Sequence, residues 1–137
     1  MPLRVRYVEC DMQGRAFNGH YLTWVDMAHT EALGELIGDY RTVTDAGVDF
    51  VVAAAELQFR RPVTFDDRLL VQVRFQQPGN SSLRSEFTIV RDGGDPDAVI
   101  AECVMTHVCV DTTNYRKQPW PDWIRQRLRE RIGTDLS

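Results

Sequence analysis

The spacing of apolar residues along the chain predicts where its first strand and its longest helix lie. Leu3 to Val8 alternates apolar and polar residues, which predicts a strand, and the following DMQG segment breaks that pattern. From Gly19 to about Ile37, apolar residues recur at spacings of three and four, as they do on a helix. The apolar stripe is wide enough to predict a buried helix. Asn18 is its predicted N-cap, and Gly38 is predicted to end it.

Four strand-like segments follow the helix, and a short helix is predicted near the C-terminus. The strand segments are residues 50–59, 68–76, 83–90 and 98–111, and the short helix covers residues 121–132. A buried helix needs a sheet to pack against, so this order predicts an α+β fold in which a curved, mainly antiparallel sheet wraps one central helix. Such a sheet leaves open edges, which dimerisation commonly covers. We therefore expect a homodimer or a homotetramer.

Length and composition narrow the class of protein. The chain has 137 residues, of which 43% are hydrophobic and 26% charged, and this predicts a single domain over residues 1–137. The net charge of −4 argues against a nucleic-acid partner. No secretory signal or membrane-spanning run is recognisable, so we expect a cytoplasmic protein without a membrane partner. The three cysteines form no CxxC pair, which argues against a disulfide framework and against a metal site.

The segment VRYVECDMQGRAFNGHYLTWVDMAHTEAL, residues 5–33, carries a family resemblance. In it, Gly14 follows Asp11 by three positions, and Tyr21 and Leu22 lie at the start of the predicted helix. Two weaker motifs, FRRPVTFDDRLLV and QPGNSSLRSEFTI, follow in the same order as in the family. With this order of elements, the chain resembles the hotdog-fold acyl-CoA thioesterases of the 4-hydroxybenzoyl-CoA thioesterase type. The resemblance implies a hotdog fold, an acyl-CoA substrate, hydrolysis of its thioester, and no cofactor.

The resemblance also implies three catalytic positions. In the family, the counterpart of Asp11 attacks the thioester carbonyl or activates the attacking water. Backbone N–H groups at the start of the central helix polarise the carbonyl oxygen, and here they belong to Asn18 and Gly19. Some relatives carry His or an aromatic residue where this chain has Asn18, so only the backbone role is carried over. The local sequence alone favours a turn role for Asp11, with Gly14 as the fourth turn residue, and the two roles are compatible.

Six further residues are candidate substrate contacts. The aromatic ones are expected to line the pocket for the acyl group, and the polar ones to orient the substrate or to meet the CoA phosphates. For Arg84, as for any single basic residue here, a solvated surface charge is the better explanation, and a packing role at the helix start explains His20 at least as well. The candidates are Phe17, His20, Tyr21, Trp24, Ser82 and Arg84.

Two residues near these candidates are predicted to have structural roles. Glu9 is interpreted as a solvated carboxylate on an extended strand, facing away from its neighbours. His107 lies in an apolar strand and is interpreted as a core histidine whose hydrogen bonds are satisfied.

Two alternatives to acyl-CoA hydrolysis stay open at the level of sequence. The first is a thioesterase that acts on an acyl carrier protein thioester in a biosynthetic pathway. The second is a non-catalytic module that binds acyl thioesters, although such a module has no need of Asp11. The chain lacks a GxSxG motif, which argues against a thioesterase of the α/β-hydrolase kind.

Overall fold

The computed structural model describes residues 1–132, and within them five strands form one antiparallel sheet in the order β1-β3-β4-β5-β2. A short 3-10 helix covers Tyr7–Glu9. The strands are β1 (Pro2–Arg4), β2 (Val48–Phe59), β3 (Arg68–Phe75), β4 (Ser82–Arg91) and β5 (Ala101–Asp111). The α-helices are α1 (Asn18–Ile37), α2 (Tyr40–Asp45) and α3 (Asp122–Arg131).

Helix α1 buries one face along its whole length against the curled sheet, which confirms the prediction of a central helix. Its opposite face is exposed in this chain, where Leu22 is 40% and Met27 is 51% exposed, so the apolar stripe is wider than the face that is buried. The first half of α1 packs in one apolar cluster with residues of β3, β4 and β5. Its second half packs in another cluster with α2, α3 and the ends of β2, β4 and β5. The guanidinium of Arg127 on α3 donates to the carbonyl oxygen of Ile37 at 3.1 Å, which places a cation at the C-terminus of α1.

The ends of the predicted elements differ from the observed ones for local reasons. The first strand is shorter than predicted, because the chain turns into the 3-10 helix after Arg6. Phe17, and not Asn18, takes the N-cap position of α1, and it makes no side-chain cap hydrogen bond. The predicted stop at Gly38 is confirmed: its φ is 98°, and its N–H donates to the carbonyl oxygen of Gly34 at 2.9 Å.

Strand β2 forms one edge of the sheet and pairs with β5 only. All residues from 51 to 56 are exposed in this chain, although five of them are Val or Ala. A long, apolar and unprotected edge strand invites pairing with another chain. We therefore expect the predicted dimer to cover this edge, and not the three-residue strand β1 at the other edge.

Candidate active site

Asp11 lies in a small hairpin between the 3-10 helix and α1. Cys10 and Ala16 form an antiparallel bridge across the hairpin. The N–H of Asp11 donates to the carbonyl oxygen of Arg15 at 2.8 Å. The N–H of Gly14 donates to the carbonyl oxygen of Asp11 at 3.0 Å. Gly14 has a φ of 75°, a conformation that glycine adopts without steric cost. The predicted turn role of Asp11 is confirmed.

The carboxylate of Asp11 is held by one of its oxygens only. Oδ1 accepts hydrogen bonds from the N–H of Gln13 at 2.8 Å and from that of Arg15 at 3.4 Å. Oδ2 has no hydrogen-bond partner among residues 1–132, and the residue is exposed. The turn therefore orients the carboxylate and leaves one oxygen available for chemistry.

An open groove of about 660 Å³ lies beside Asp11. Three exposed apolar side chains, Tyr7, Met12 and Phe65, line it together with Cys10 and Gly14. The rings of Tyr7 and Phe65 meet edge to face, with centroids 5.9 Å apart. These three residues were not among the sequence-based candidates, although Tyr7 and Phe65 lie within the motifs that carry the family resemblance.

Glu9 is buried, so the prediction of a solvated carboxylate is wrong. It is 2% exposed, and its Oε2 accepts a hydrogen bond from Nε1 of Trp24 at 2.7 Å. Its Oε1 accepts from the backbone N–H of Arg6 at 2.8 Å. Although burial opposes ionisation, the hydrogen bonds from Arg6 and Trp24 hold the pKa of Glu9 below its usual value. The 3-10 helix is the reason, because it turns inward a side chain that an extended strand would direct elsewhere.

The first turn of α1 presents backbone donors close to the hairpin. The N–H of His20 donates to the carbonyl oxygen of Phe17 at 3.0 Å. The N–H groups of Asn18 and Gly19 have no acceptor within the described part of the chain. Free N–H groups at a helix N-terminus, where the helix dipole is positive, are suited to bind a developing oxyanion.

Backbone contacts join this helix start to the hairpin of Asp11. The N–H of Phe17 donates to the carbonyl oxygen of Glu9 at 2.8 Å, and Ala16 forms the bridge with Cys10. Asn18 and Gly19 do not line the groove itself. Within one chain, the carboxylate and the free N–H groups are thus neighbours on one surface and do not share one enclosed pocket.

The structure separates the six predicted substrate contacts. Tyr21 and Trp24 are 3% and 2% exposed and belong to the core, with ring centroids 4.9 Å apart. Phe17 and His20 lie at the surface near the start of α1, with ring centroids 6.1 Å apart.

The remaining two candidates, Ser82 and Arg84, lie on β4, whose alternate residues Leu83 and Phe87 are buried against the core. Ser82 and Arg84 therefore occupy the sheet face opposite α1. None of the six residues lines the groove beside Asp11 in this chain, and their binding roles stay predictions.

His107 is buried as predicted, at 3% exposure. The prediction that its hydrogen bonds are satisfied is wrong, because its Nδ1 has no partner among residues 1–132. Its ring stacks on that of His29, a residue that sequence reasoning overlooked. The sequence feature that could have identified His29 is its place as a polar residue inside the apolar stripe of α1, four positions from both Val25 and Leu33.

Two kinds of feature are absent from residues 1–132. No group of three or more His, Cys, Asp or Glu side chains in this range is arranged to hold a metal ion. None of the helices in this range combines the length and the apolar character that a bilayer crossing requires.

The chain is similar in sequence and in fold to several proteins named as acyl-CoA thioesterases or acyl-CoA hydrolases. The chain is 24% identical over 131 residues to the long-chain acyl-CoA thioesterase FadM of Escherichia coli, with 95% of this chain and 96% of that protein covered. It is 26% identical over 136 residues to the 1,4-dihydroxy-2-naphthoyl-CoA hydrolase of Nostoc punctiforme, with 96% and 89% covered. The crystal structure of a 1,4-dihydroxy-2-naphthoyl-CoA thioesterase from Synechocystis matches with a TM-score of 0.82 at 20% identity, covering 99% of this chain and 95% of that one.

These matches extend over nearly all of the chain, so they confirm the predicted hotdog fold and the resemblance to thioesterases. Thioester hydrolysis is the activity that the names of the relatives and structural neighbours support. The family match covers residues 5–128, and the chain therefore belongs to the thioesterase-like superfamily.

Proposed function

We propose that this protein hydrolyses acyl-CoA thioesters to a carboxylic acid and CoA, with Asp11 as nucleophile or general base. One observation carries the proposal. Asp11 has one carboxylate oxygen held by turn amides and the other free, next to a helix start with two free N–H groups. A nucleophile and an oxyanion site are the two groups that acyl transfer requires.

Both versions of the reaction use the free oxygen of Asp11. As a nucleophile, Oδ2 attacks the carbonyl carbon, the C–S bond breaks, CoA leaves as a thiolate, and water then hydrolyses the mixed anhydride. As a general base, Asp11 takes a proton from the attacking water, and that proton passes to the departing sulfur when the C–S bond breaks. Neither version needs a metal or a redox cofactor.

In both versions, negative charge develops on the thioester oxygen. We assign its stabilisation to the free N–H groups of Asn18 and Gly19, which lie at the positive end of α1. One such donor is worth about 3–4 kcal/mol of transition-state stabilisation in oxyanion holes. The exposed apolar side chains of the neighbouring groove, Tyr7 and Phe65, are suited to cover part of the acyl group.

Three arginines within the two weaker family motifs, Arg60, Arg61 and Arg84, are possible contacts for the CoA phosphates, and they differ in their availability. Arg60 is engaged with Glu102 at 3.0 Å, and Arg61 donates to the carbonyl oxygen of Val99 at 2.6 Å. The side chain of Arg84 is exposed and has no partner among residues 1–132. We therefore favour Arg84 as a phosphate contact, supplied either to the same active site or to that of a neighbouring copy.

The test of the proposed function is a hydrolysis screen. Wild-type protein and Asp11→Asn are incubated with a panel of acyl-CoAs that differ in the acyl group, and the release of free thiol is followed. Asn preserves the turn but is neither a base nor a nucleophile, so we expect a loss of about two to four orders of magnitude in kcat. Activity of Asp11→Asn within a few-fold of wild type removes Asp11 from the mechanism.

The same panel separates the alternatives. Hydrolysis of an acyl carrier protein thioester with little turnover of any acyl-CoA favours the carrier-protein thioesterase. Tight binding of a non-hydrolysable acyl-CoA analogue by wild-type protein, without thiol release from any substrate, favours the binding module.

A further inference from the structure

Glu9 is the only charged side chain that the protein buries within residues 1–132. It is 2% exposed, whereas every Asp, Lys and Arg and every other Glu of this range is half-buried or exposed. Burying a carboxylate costs free energy unless hydrogen bonds replace the lost water. Replacement of a buried ion pair by apolar residues of similar volume is often neutral or even stabilising. Stability alone therefore does not account for a glutamate at this position.

The carboxylate of Glu9 makes all its hydrogen bonds inside the chain. Its Oε1 accepts from the backbone N–H of Arg6 at 2.8 Å. Its Oε2 accepts from Nε1 of Trp24 at 2.7 Å and from the guanidinium of Arg6 at 3.3 Å. Because both oxygens are engaged and buried, Glu9 is not available as a nucleophile or as a base.

Glu9 is attached to helix α1 at two points. Its side chain bonds to Trp24, and its backbone carbonyl oxygen accepts from the N–H of Phe17, the N-cap residue of α1, at 2.8 Å. The two attachment points are seven residues apart (24 − 17), which is roughly 10 Å along the helix axis. A single contact would let the helix start rotate about it, whereas two separated contacts fix both its distance from Glu9 and its direction.

The groups that the proposed reaction needs lie directly beyond these attachment points. Asp11 follows Glu9 by two residues, and the two free N–H groups of the helix start follow Phe17. One connection between them therefore runs along the chain from Asp11 to Glu9 and through the hydrogen bond to Phe17. The other connection is the hairpin itself, and its residues 12–15 are all exposed. Only the connection through Glu9 is anchored in the core.

We propose that Glu9 is a positioning residue for thioester hydrolysis, which keeps the carboxylate of Asp11 at a fixed place relative to the oxyanion donors of α1. This role rests on the proposed function, in which Asp11 attacks the thioester or activates water. A misplacement of reacting groups by about 1 Å can cost roughly 10²-fold in rate. Glu9 touches neither the substrate nor the water, and it acts through Asp11.

The test breaks the bond between Glu9 and Trp24 from both ends. Glu9→Gln keeps the shape of the side chain but offers one acceptor oxygen in place of two, so either Trp24 or Arg6 loses its acceptor. Trp24→Phe keeps an aromatic ring in the core and removes the indole N–H. We expect each variant to lower kcat about tenfold and to leave KM within about twofold of wild type. In the double variant the two losses should not multiply, because both substitutions remove one bond.

A matched control separates positioning from a general loss of stability. Leu128→Ala truncates a buried side chain of α3 that belongs to the second apolar cluster, whereas Ala16 of the hairpin belongs to the first. The cavity that it leaves destabilises the core. Urea unfolding ranks the stability of all variants, and kcat is measured at a temperature at which all are folded. Leu128→Ala should keep the kcat of wild type, and a loss equal to that of Glu9→Gln would overturn the proposal.

NMR reads the positioning without turnover. The chain has three tryptophans, so the indole N–H signal of Trp24 is identified by its loss in Trp24→Phe. Glu9→Gln should shift this signal together with the backbone amide signals of Gln13 and Gly19. The N–H of Gln13 donates to the carboxylate of Asp11, and that of Gly19 belongs to the helix start. Unchanged amide signals of Gln13 and Gly19 in Glu9→Gln would overturn the proposal.

Asp11→Asn distinguishes a failure of this role from a failure of the proposed function. In the Asp11→Asn background, Glu9→Gln should lower the residual kcat by less than about twofold, because Glu9 acts through Asp11. Full activity of Asp11→Asn would overturn the proposed mechanism and the role of Glu9 with it. A strong loss in Asp11→Asn, with wild-type kcat in both Glu9→Gln and Trp24→Phe, would overturn the role of Glu9 alone.

Discussion

Glu9 accepts a hydrogen bond of 2.7 Å from the indole N–H of Trp24, and both side chains are buried. This bond ties the segment that carries Asp11 to the core face of α1. The backbone of Glu9 adds a second connection, because its carbonyl oxygen accepts from the N–H of Phe17 at 2.8 Å. The position of Asp11 relative to the helix start therefore depends on a neighbouring carboxylate that takes no part in the reaction we propose.

Replacement of Glu9 by Ala should lower the free energy of unfolding by about 3 kcal/mol, because the buried indole N–H of Trp24 and the partly buried backbone N–H of Arg6 lose a charged acceptor. Urea unfolding measures the effect. Glu102→Ala is the matched control: its ion pair with Arg60 is half-exposed, so its loss should cost less than about 1 kcal/mol. Equal costs for the two variants would contradict a special role for the Glu9–Trp24 bond.

Stability should fall as the pH is lowered below 6.5, because unfolding lets His29 take up a proton. The pKa of His29 is about 3 in the folded protein against its usual value of 6.5. The unfolded state therefore binds more protons between these values, and stability is fully present only above pH 6.5. One such proton corresponds to about 1.4 kcal/mol per pH unit. His29→Phe should flatten the curve of unfolding free energy between pH 6.5 and 5, and parallel curves for variant and wild type would contradict this.

Asn18→Pro should lower kcat about 10²- to 10³-fold, because proline removes one of the two proposed oxyanion donors. The helix should tolerate proline there: Asn18 is its first residue, and Phe17 before it has φ −68° and ψ 139°, an extended conformation compatible with a following proline. Asn18→Ala keeps the N–H and should retain activity within a few-fold. Similar kcat values for the two variants, with folding confirmed by circular dichroism, would assign no catalytic role to this N–H.

Arg84→Gln should raise KM for acyl-CoA up to about fivefold, the range expected for one exposed ion pair. The same variant should leave hydrolysis of the matching acyl-pantetheine unchanged, since pantetheine lacks the nucleotide phosphates. The difference should shrink at high salt. Arg60→Gln is the control, because Arg60 is already engaged with Glu102. If wild-type kcat/KM is equal for the two thioesters, the nucleotide is not recognised and the carrier-protein alternative is favoured.

The protein should sediment as a dimer or a larger oligomer at micromolar concentration, because β2 presents an apolar edge. Val51→Lys should shift it toward monomer, since two like charges would face each other across paired β2 edges. Gln72→Lys places the same charge on an exposed position of β3, which lies inside the sheet, and should leave the oligomer intact. An active wild-type monomer would rule out the predicted assembly.

The sequence by itself determined the elements whose pattern is local. The apolar periodicity of α1, the alternation along β3 and β4, and the stop at Gly38 depend on neighbours a few positions apart, and all are present in the structure. The motif around Asp11 and Gly14, together with the two weaker motifs and the order of the elements, identified the family.

Only the tertiary structure decided the features that join distant parts of the chain. The sequence around Glu9 alternates apolar and polar residues as in a strand, which predicted a solvated side chain. Glu9 is buried because a 3-10 helix turns it inward and because the indole N–H of Trp24, fifteen positions further along, donates a hydrogen bond to it. His29 and His107 are 78 positions apart (107 − 29) and meet because α1 packs against β5. Periodicity reports which face of an element is buried, whereas the partner of a buried polar group depends on which elements pack together.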